Sequence, residues 1–514
     1  MLNLLFPKKA YDMRVISYYT GQVVIGTALL MLIPLVVALF MKEWNVFFDF
    51  MISLNISLIL GIIMVIAGKT LGTKLKVEWK HALATASLSW FVLMILSAIP
   101  YYLSGHMGSF LDACFDVMSG FTTTGVAMIQ DLDHVSLGLN TWRHVLTFVG
   151  GQGMVVLALT FLVREAGGAY KIYVGEAKDI ELTPNARGTA RIIWEISIGY
   201  LIFGTIVFWI NGLWIGLNPV SAFFNGFFIF CSAWSTGGFS PMAQNMNYYH
   251  SFSYEVTSVI FFILGSLNFG LHYAVLKGDK KEIYRNIEVQ SFAVTAFLTS
   301  ALAVVYVSKL GIITDGVSLF RRVVYQILSA HTTTGFANMY AKQFVYEWGD
   351  FGALMLIIAM LIGGSACSTA GGFKGLRVGI VFQGIIGDIR KYLSSERRIR
   401  KFKFHHIKDI VIEDQMVKSS SVIIICYILT FLIGTAMGSF YGYPIIESAF
   451  ESASITGNVG LTIGVTSMTM PTAMKIYYIF AMYLGRLEFI SVFVLIGFII
   501  GGVRKTWKSY LERF

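Results

Sequence analysis

The stretch Ser119-Gly120-Phe121-Thr122-Thr123-Thr124-Gly125-Val126 has three counterparts further along the chain. They read Ser232-Ala233-Trp234-Ser235-Thr236-Gly237-Gly238-Phe239, Ser329-Ala330-His331-Thr332-Thr333-Thr334-Gly335-Phe336 and Ser452-Ala453-Ser454-Ile455-Thr456-Gly457-Asn458-Val459-Gly460-Leu461. Each ends on a glycine followed by a hydrophobic residue, and the four recur at roughly quarter-chain spacing. Upstream of each lies an apolar stretch too short to span a membrane: Leu111 to Met118, Val220 to Cys231, Leu319 to Leu328 and Pro444 to Glu451. Downstream of each comes a full-length apolar run. Span, half-helix, Thr/Gly loop, span is the order of a re-entrant pore loop, and irregular backbone survives at membrane depth only where it lines a water-filled cavity or is buried in protein. A lone Thr-Thr-Gly is a common turn; four in matching context are not.

The surrounding composition is that of a membrane protein. Hydrophobic residues make up 56% of the chain and charged residues only 13%, a balance that soluble domains do not show. Runs long enough for the bilayer predict helices near Val15 to Phe40, Val46 to Ala67, Leu83 to Leu103, Trp142 to Leu162, Ile192 to Ile210, Val256 to Leu276, Phe292 to Val307, Phe351 to Ile362, Val422 to Phe440 and Tyr477 to Ile500. The first run exceeds a signal-peptide core, lacks a small-x-small exit and is followed at once by a second span, so it is expected to be retained. Natural divisions fall at 1–70 (two helices before the first loop unit), 71–180, 181–285, 286–408 and 409–514.

Basic residues alternate between the connections as the positive-inside rule requires. One set carries Lys8, Lys9 and Arg14; Lys69, Lys74, Lys76 and Lys80; Arg164, Lys171, Lys178, Arg187 and Arg191; Lys277, Lys280, Lys281 and Arg285; and a cluster from Lys391 through Arg397, Arg398, Arg400, Lys401 and Lys403 to Lys408. The opposite set is poor in base and carries Asp112, Asp131, Asp133, Glu255, Asp315, Glu347 and Asp350. Both termini are therefore expected in the cytoplasm. The net charge of +10 reflects this topology, so no nucleic-acid partner is expected, and an acidic outer vestibule would concentrate cations.

Ion chemistry explains the composition of the loops. A dehydrated cation must exchange its water shell for oxygens, and backbone carbonyls supply them without full charge. Glycine adopts the left-handed angles that residues with a Cβ resist, and threonine offers a carbonyl and a hydroxyl oxygen. The preceding half-helix would aim its carbonyl-rich end at the ion.

Two further features stand out. The segment Gly363-Gly364-Ser365-Ala366-Cys367-Ser368-Thr369-Ala370-Gly371-Gly372 interrupts the eighth run with two glycine pairs, each glycine costing a helix about 1 kcal/mol relative to alanine. It reads as an unwound intramembrane loop, with close packing of small residues as the simpler alternative. Arg486 falls within the last run, where a charge costs at least about 2.5 kcal/mol unless it faces a partner or water. It is expected either to face the pore or to be tied to carbonyls of a neighbouring helix, and Glu488 lies on a different helical face.

Catalytic signatures are absent: there is no HExxH, GxSxG or phosphate loop, and Gly364 to Gly375 lacks the Gly-Lys-Ser/Thr ending. His272 and His331 have no evident partners and read as structural, so the chain is not expected to be an enzyme and no cofactor is implied. Cys114, Cys231, Cys367 and Cys426 are isolated and read as small buried hydrophobes.

In these features the chain resembles the Trk/Ktr/HKT superfamily of potassium transporters, and within it the bacterial Trk-type membrane subunit. The resemblance spans nearly the whole chain and is carried by Met118 to Gly125, Gly150-Gly151-Gln152-Gly153-Met154, Gly265-Ser266-Leu267-Asn268-Phe269, Gly363 to Lys374 and Tyr483-Leu484-Gly485-Arg486-Leu487-Glu488. It implies an all-α membrane protein of ten transmembrane helices, in which four M1-P-M2 repeats with re-entrant pore loops stand in pseudo-fourfold array around one pore. It implies a selectivity filter lined by Thr123, Thr124, Gly125, Thr236, Gly237, Gly238, Thr333, Thr334, Gly335, Asn458, Val459 and Gly460. In plant relatives a serine at the first filter glycine admits sodium more freely, so four glycines imply potassium as substrate. Asn458 departs from the threonines of the other loops and leaves the symmetry of that ring open.

By the same resemblance residues 363–372 and Arg486 form a gate beneath the filter, and the protein is a homodimer in the bacterial inner membrane. A cytosolic nucleotide-binding subunit of the TrkA type would regulate it, docking on Arg390 to Lys408 with Arg504, Lys505 and Lys508; anionic lipid is the competing partner for that basic face. The alternative function is an alternating-access transporter coupled to sodium or protons, which calls for broken spans, of which the sequence betrays one.

Overall fold

The computed structural model describes residues 7–69, 77–153, 186–393 and 403–511. The first apolar run forms α1 (Pro7–Leu30) and α2 (Leu32–Phe40), and the second forms α3 (Trp44–Gly68). The step at Met31 lies just before Pro34, whose missing N–H and ring interrupt the helical ladder one turn back. Three glycines let α1 and α3 touch backbone to backbone. A Cβ on Gly21 would stand 2.8 Å from the Gly61 carbonyl oxygen, and one on Gly68 2.6 Å from that of Arg14. Ser17 adds a hydroxyl bond to the Met64 carbonyl at 2.9 Å. Small residues are how helices associate where lipid removes the hydrophobic drive. Gly61→Leu is accordingly expected to push the pair apart and to cost about 1–3 kcal/mol, read as a lower melting temperature in detergent with ion selectivity unchanged.

After this pair the element order repeats four times as a long helix, a short helix, a loop and a second long helix. The sets are α4 (Trp79–Leu103), α5 (Phe110–Phe121) and α6 (Leu137–Gln152); α7 (Ala186–Trp214), α8 (Pro219–Trp234), α9 (Phe252–Ser266) and α10 (Phe269–Leu276); α11 (Ile287–Lys309), α12 (Tyr325–His331), α13 (Gly349–Ile362) and α14 (Gly375–Tyr392); and α15 (Asp414–Phe440), α16 (Ile445–Thr456), α17 (Thr472–Arg486) and α18 (Ile490–Leu511). Side chains start three of the short helices. Ser109 and Asn218 cap α5 and α8, and Asp315 caps the turn that leads through a π-helical stretch, Phe320–Val324, into α12. That stretch carries Arg321, which grips Glu255 of α9 through two bonds of 2.9 Å. The N-terminal pair is tied on by Glu43, whose carboxylate accepts the N–H groups of Leu137 and Gly138 at 2.8 and 2.9 Å, where the dipole of α6 favours an anion.

Among the described residues six helices are long and apolar enough to cross a membrane, or up to eight if each bent pair counts as one span. Of the ten expected spans, Trp142 to Leu162 runs into residues outside those described, and α13 has only 14 residues. The expected runs Val256 to Leu276 and Tyr477 to Ile500 are not continuous. The first bends by 100° between α9 and α10, and the second by 117° between α17 and α18. Asn268 causes the first break by restarting the helix, its side chain accepting the Gly270 N–H at 2.7 Å. At the second, Glu488 and Phe489 take left-handed φ angles of 53° and 68°. With the interruption after α13, three second helices are broken among the described residues, where the sequence betrays one.

Among the described residues the departure from an all-helical chain is a small antiparallel hairpin of β1 (Lys403–His406) and β2 (Lys408–Val411). Cys114, Cys231 and Cys367 are buried, and all four cysteines are free thiols. His272 bonds the Leu264 carbonyl at 2.9 Å and His331 the Thr295 hydroxyl at 2.8 Å, so each holds a helix contact.

Candidate functional site

Each short helix ends at its loop, and the loop's N–H groups turn back onto that helix. Thr124 and Gly237 donate to the carbonyls of Ser119 and Ser232 at 2.8 Å, Thr334 to Ser329 at 2.9 Å and Val459 to Ser454 at 2.8 Å. Ser454, not Ser452, is thus the fourth loop's counterpart of Ser119. One residue earlier, Thr123, Thr236, Thr333 and Asn458 share left-handed φ angles of 56°, 49°, 57° and 54°. Two residues later, Gly125, Gly238, Gly335 and Gly460 again have positive φ, at 83°, 64°, 78° and 95°. Asparagine tolerates this region; a β-branched threonine there is strained, and such strain persists only where the surroundings over-determine it. The fourth loop therefore keeps the backbone of the other three. Its side chain differs in use: Asn458 Nδ2 donates to Thr124 Oγ1 at 3.0 Å and to the Met482 carbonyl at 2.9 Å.

The four glycines give the loops their order in space. A Cβ on Gly125 would strike the carbonyl oxygen of Gly237, one on Gly238 that of Thr334, one on Gly335 that of Val459, and one on Gly460 that of Thr124. First loop meets second, second meets third, third meets fourth, and fourth meets first. The loops form a closed ring in which each glycine leans on the carbonyl of the next loop, and the conserved shape needs glycine twice over, for its φ and for this approach.

Residues 363–374 pass against the ring without helical structure, with left-handed φ at Gly363, Cys367, Gly372 and Lys374. Their middle touches every loop. The Thr369 hydroxyl lies 3.1 Å from that of Thr236, and its carbonyl accepts from Thr123 Oγ1 at 3.4 Å. The Gly371 N–H donates to Thr333 Oγ1 at 2.8 Å, and a Cβ on Gly371 would stand 3.0 Å from that of Asn458. Gly364 packs on Ser266 and Ala370; the Ser365 N–H donates to the Ser266 carbonyl at 3.0 Å; the Ser368 hydroxyl bonds the Ser365 carbonyl at 2.6 Å.

Arg486, Glu488 and Arg377 hold this segment together with its own Lys374. Arg486 donates to the Thr369 carbonyl at 2.7 Å and to the carbonyls of Gly150 and Gly151 at 2.6 and 2.8 Å. It is the last residue of α17, at the break in the last run, and its bonds to the Gly150 and Gly151 carbonyls are those of an arginine tied to a neighbouring helix. Lys374 donates to the Ala370 carbonyl at 2.7 Å and lies 3.6 Å from Glu488, which also pairs with Arg377. Lys374 and Arg377 went unnoticed in the sequence because their partner follows more than a hundred residues later. Further basic residues of the expected docking face, Arg397, Arg398, Arg400 and Lys401, lie outside the described residues. No group of three or more histidine, cysteine or acidic residues that could hold a metal ion occurs among the described residues.

Known proteins share this architecture. Over 488 residues the chain is 28% identical to a protein of Methanocaldococcus jannaschii described as an uncharacterized cation transporter, covering 94% of this chain and 95% of that one. It is 28% identical to the Trk system potassium uptake protein TrkG of Escherichia coli K12, covering 94% and 97% of the two chains. The crystal structure of the potassium transporter TrkH from Vibrio parahaemolyticus superimposes with a TM-score of 0.78 over 94% of this chain and 98% of the other, at 24% identity, and so shares its fold. The sequence description of the TrkH cation transport proteins matches residues 53–500, and the chain belongs to that family.

Proposed function

We propose that this protein mediates potassium uptake through the ring, which acts as a selectivity filter at the centre of four M1-P-M2 repeats in pseudo-fourfold array. The observation that carries the reading is the cyclic closure of four loops with one backbone shape. Alternating handedness over three residues sets carbonyls to one side of each strand, and the N–H groups are already spent on the short helices. The ligands are the carbonyls of Thr123, Thr124, Gly125, Thr236, Gly237, Gly238, Thr333, Thr334, Gly335, Asn458, Val459 and Gly460. They replace potassium's hydration shell, and the ends of the four short helices add favourable dipoles.

Residues 363–372, clasped by Arg486, act as the gate on the cytoplasmic side of the filter. Both termini face the cytoplasm of a bacterial inner membrane, the functional unit is a homodimer, and a nucleotide-binding subunit regulates it from the basic face. Relatives bearing the potassium uptake name over most of their length support the choice of ion. The three broken helices favour one competitor, alternating access coupled to sodium or protons. Isotopic rubidium uptake into proteoliposomes separates the two. A conducting filter should move rubidium and potassium down an imposed gradient with sodium and proton gradients collapsed; uptake that vanishes when those gradients are removed would establish the coupled mechanism instead.

A further inference from the structure

The segment beneath the ring is held from its other side by a carboxylate. Glu288 Oε1 accepts the Ala366 N–H at 2.6 Å, its Oε2 accepts from Asn268 Nδ2 at 3.1 Å, and Asn268 also donates to the Ala366 carbonyl at 2.8 Å. Glu288 sits in the first turn of α11, directly after Asn286 and Ile287, and the hairpin of β1 and β2 lies against that same turn. Phe404 of β1 is buried with Ile287 and Ile380, and Leu376, Ile410, Ile412, Met416 and Val417 close around them. His406 Nδ1 stands 3.7 Å from Glu288 Oε2 and 3.5 Å from Asn286 Oδ1. The Ile407 N–H and Asn286 Nδ2 both donate to Glu282 Oε1, at 2.9 and 2.8 Å. A continuous polar path thus runs from the hairpin to Ala366.

One contact in this path has a fixed protonation requirement. His405 Nε2 lies 2.8 Å from Glu282 Oε2 and its Nδ1 lies 2.7 Å from Asp409 Oδ1. A neutral imidazole has one N–H donor and can satisfy one of these carboxylates; only the imidazolium donates to both. The docked hairpin is therefore built around a protonated histidine.

We propose that the hairpin Lys403–Val411 is a pH-responsive latch on the gate: imidazolium His405 clamps it between Glu282 and Asp409, the docked hairpin keeps Glu288 on Ala366, and loss of the His405 proton frees the segment and raises ion flux. This rests on the reading of residues 363–372 as the gate. Asp409 first and Glu282 second hold the His405 pKa above its ordinary value of about 6.5. The clamp is then complete below that ordinary value and is lost as pH rises through the raised one. Both carboxylates stay charged over this window. The His405 bond lowers Asp409, and at Glu282 the upward push of burial is outweighed by bonds from His405, Asn286 and the Ile407 N–H. Lys403 and Arg285 also act on Asp409, and from α14 and α15 the apolar residues Leu376, Ile380, Met416 and Val417 pack against the hairpin.

The test is rubidium flux through the full chain in proteoliposomes, with equal pH inside and outside, stepped from roughly pH 6 to 9. Wild-type flux should rise several-fold over that range. His405→Gln should be high and flat, His405→Arg low and flat, and Asp409→Asn, at an exposed position, should shift the rise to lower pH. Profiles identical to wild type in all three variants, or a flat wild type, would overturn the latch. Arg486→Ala separates the layers: raised flux in Arg486→Ala with unchanged His405 profiles removes the latch and keeps the gate, whereas reduced flux in Arg486→Ala removes both.

Discussion

Exchanging Gly125 for serine is expected to raise sodium permeation relative to potassium by about tenfold, equivalent to ~1.4 kcal/mol of lost discrimination. Gly125 has a φ of 83°, and a Cβ there would strike the Gly237 carbonyl while standing 3.1 Å from the Gly238 Cα. Those two residues belong to the neighbouring loop, so the disturbance passes to a second set of carbonyls. Potassium needs the carbonyls at its own hydration distance, and a displaced carbonyl replaced in part by a hydroxyl or water serves the smaller sodium comparably well. Competition of sodium with rubidium uptake, normalised to folded protein, measures the ratio. An unchanged ratio at normal expression would remove Gly125 from the filter. The same argument extends to Gly238, Gly335 and Gly460, each against its own neighbouring carbonyl.

Arg486→Ala, or shortening of the segment Gly364 to Gly371, is expected to increase potassium flux without any cytosolic partner. Two barriers act together. The segment touches all four loops at Thr123, Thr236, Thr333 and Asn458, and on the gate reading an ion leaving the filter must displace it. The guanidinium adds a repulsion of about 1.7 kcal/mol for a cation ~10 Å away at an effective dielectric of ~20, roughly an order of magnitude in rate. Arg486→Lys keeps the charge but cannot reach three carbonyls, so it should fall between wild type and alanine. Because Arg486 holds Thr369 directly, the double variant should give less than the product of the single effects. If the segment serves packing alone, both single variants lose thermal stability and flux together, which ends the gate reading and leaves the four-loop filter standing.

The loops were legible in the sequence because their requirement is local. Glycine is called for by its own positive φ, and threonine recurs two residues earlier despite the strain of a left-handed φ, so the pattern Thr-x-Gly is readable in one dimension. Asn458 fits for the same reason, as asparagine is the side chain that best replaces threonine at a left-handed position. The order of the ring was not legible, since each glycine's partner carbonyl lies in another quarter of the chain. The breaks at Leu267–Asn268 and Leu487–Phe489 contain neither glycine nor proline, and each lies within a run apolar enough on average to read as one span. What fixes them is polar and distant: Asn268 bonds Ala366, and Glu488 meets Arg377 across 111 residues of sequence. Three of the short helices came out longer than their apolar stretches, with α5 running to Phe121, α8 to Trp234 and α16 to Thr456, because the small Ser and Ala residues ahead of each loop still make helical bonds.

If the ring is the filter, the cyclic contact of the loops also sets the point in synthesis at which a conducting protein can first exist. Gly460 of the fourth loop closes onto the Thr124 carbonyl of the first, so a nascent chain with one, two or three inserted units has an open arc and no complete ring. The fourth unit brings Arg486 as well, which reaches Thr369 of the third unit and Gly150 and Gly151 of the first. Ring and clasp are thus finished by the same late stretch of polypeptide, and on the filter reading a fragment left by a stalled ribosome is expected not to conduct. Chains truncated before Ile445 should insert and remain silent in flux assays; conduction by such fragments would show that three loops suffice.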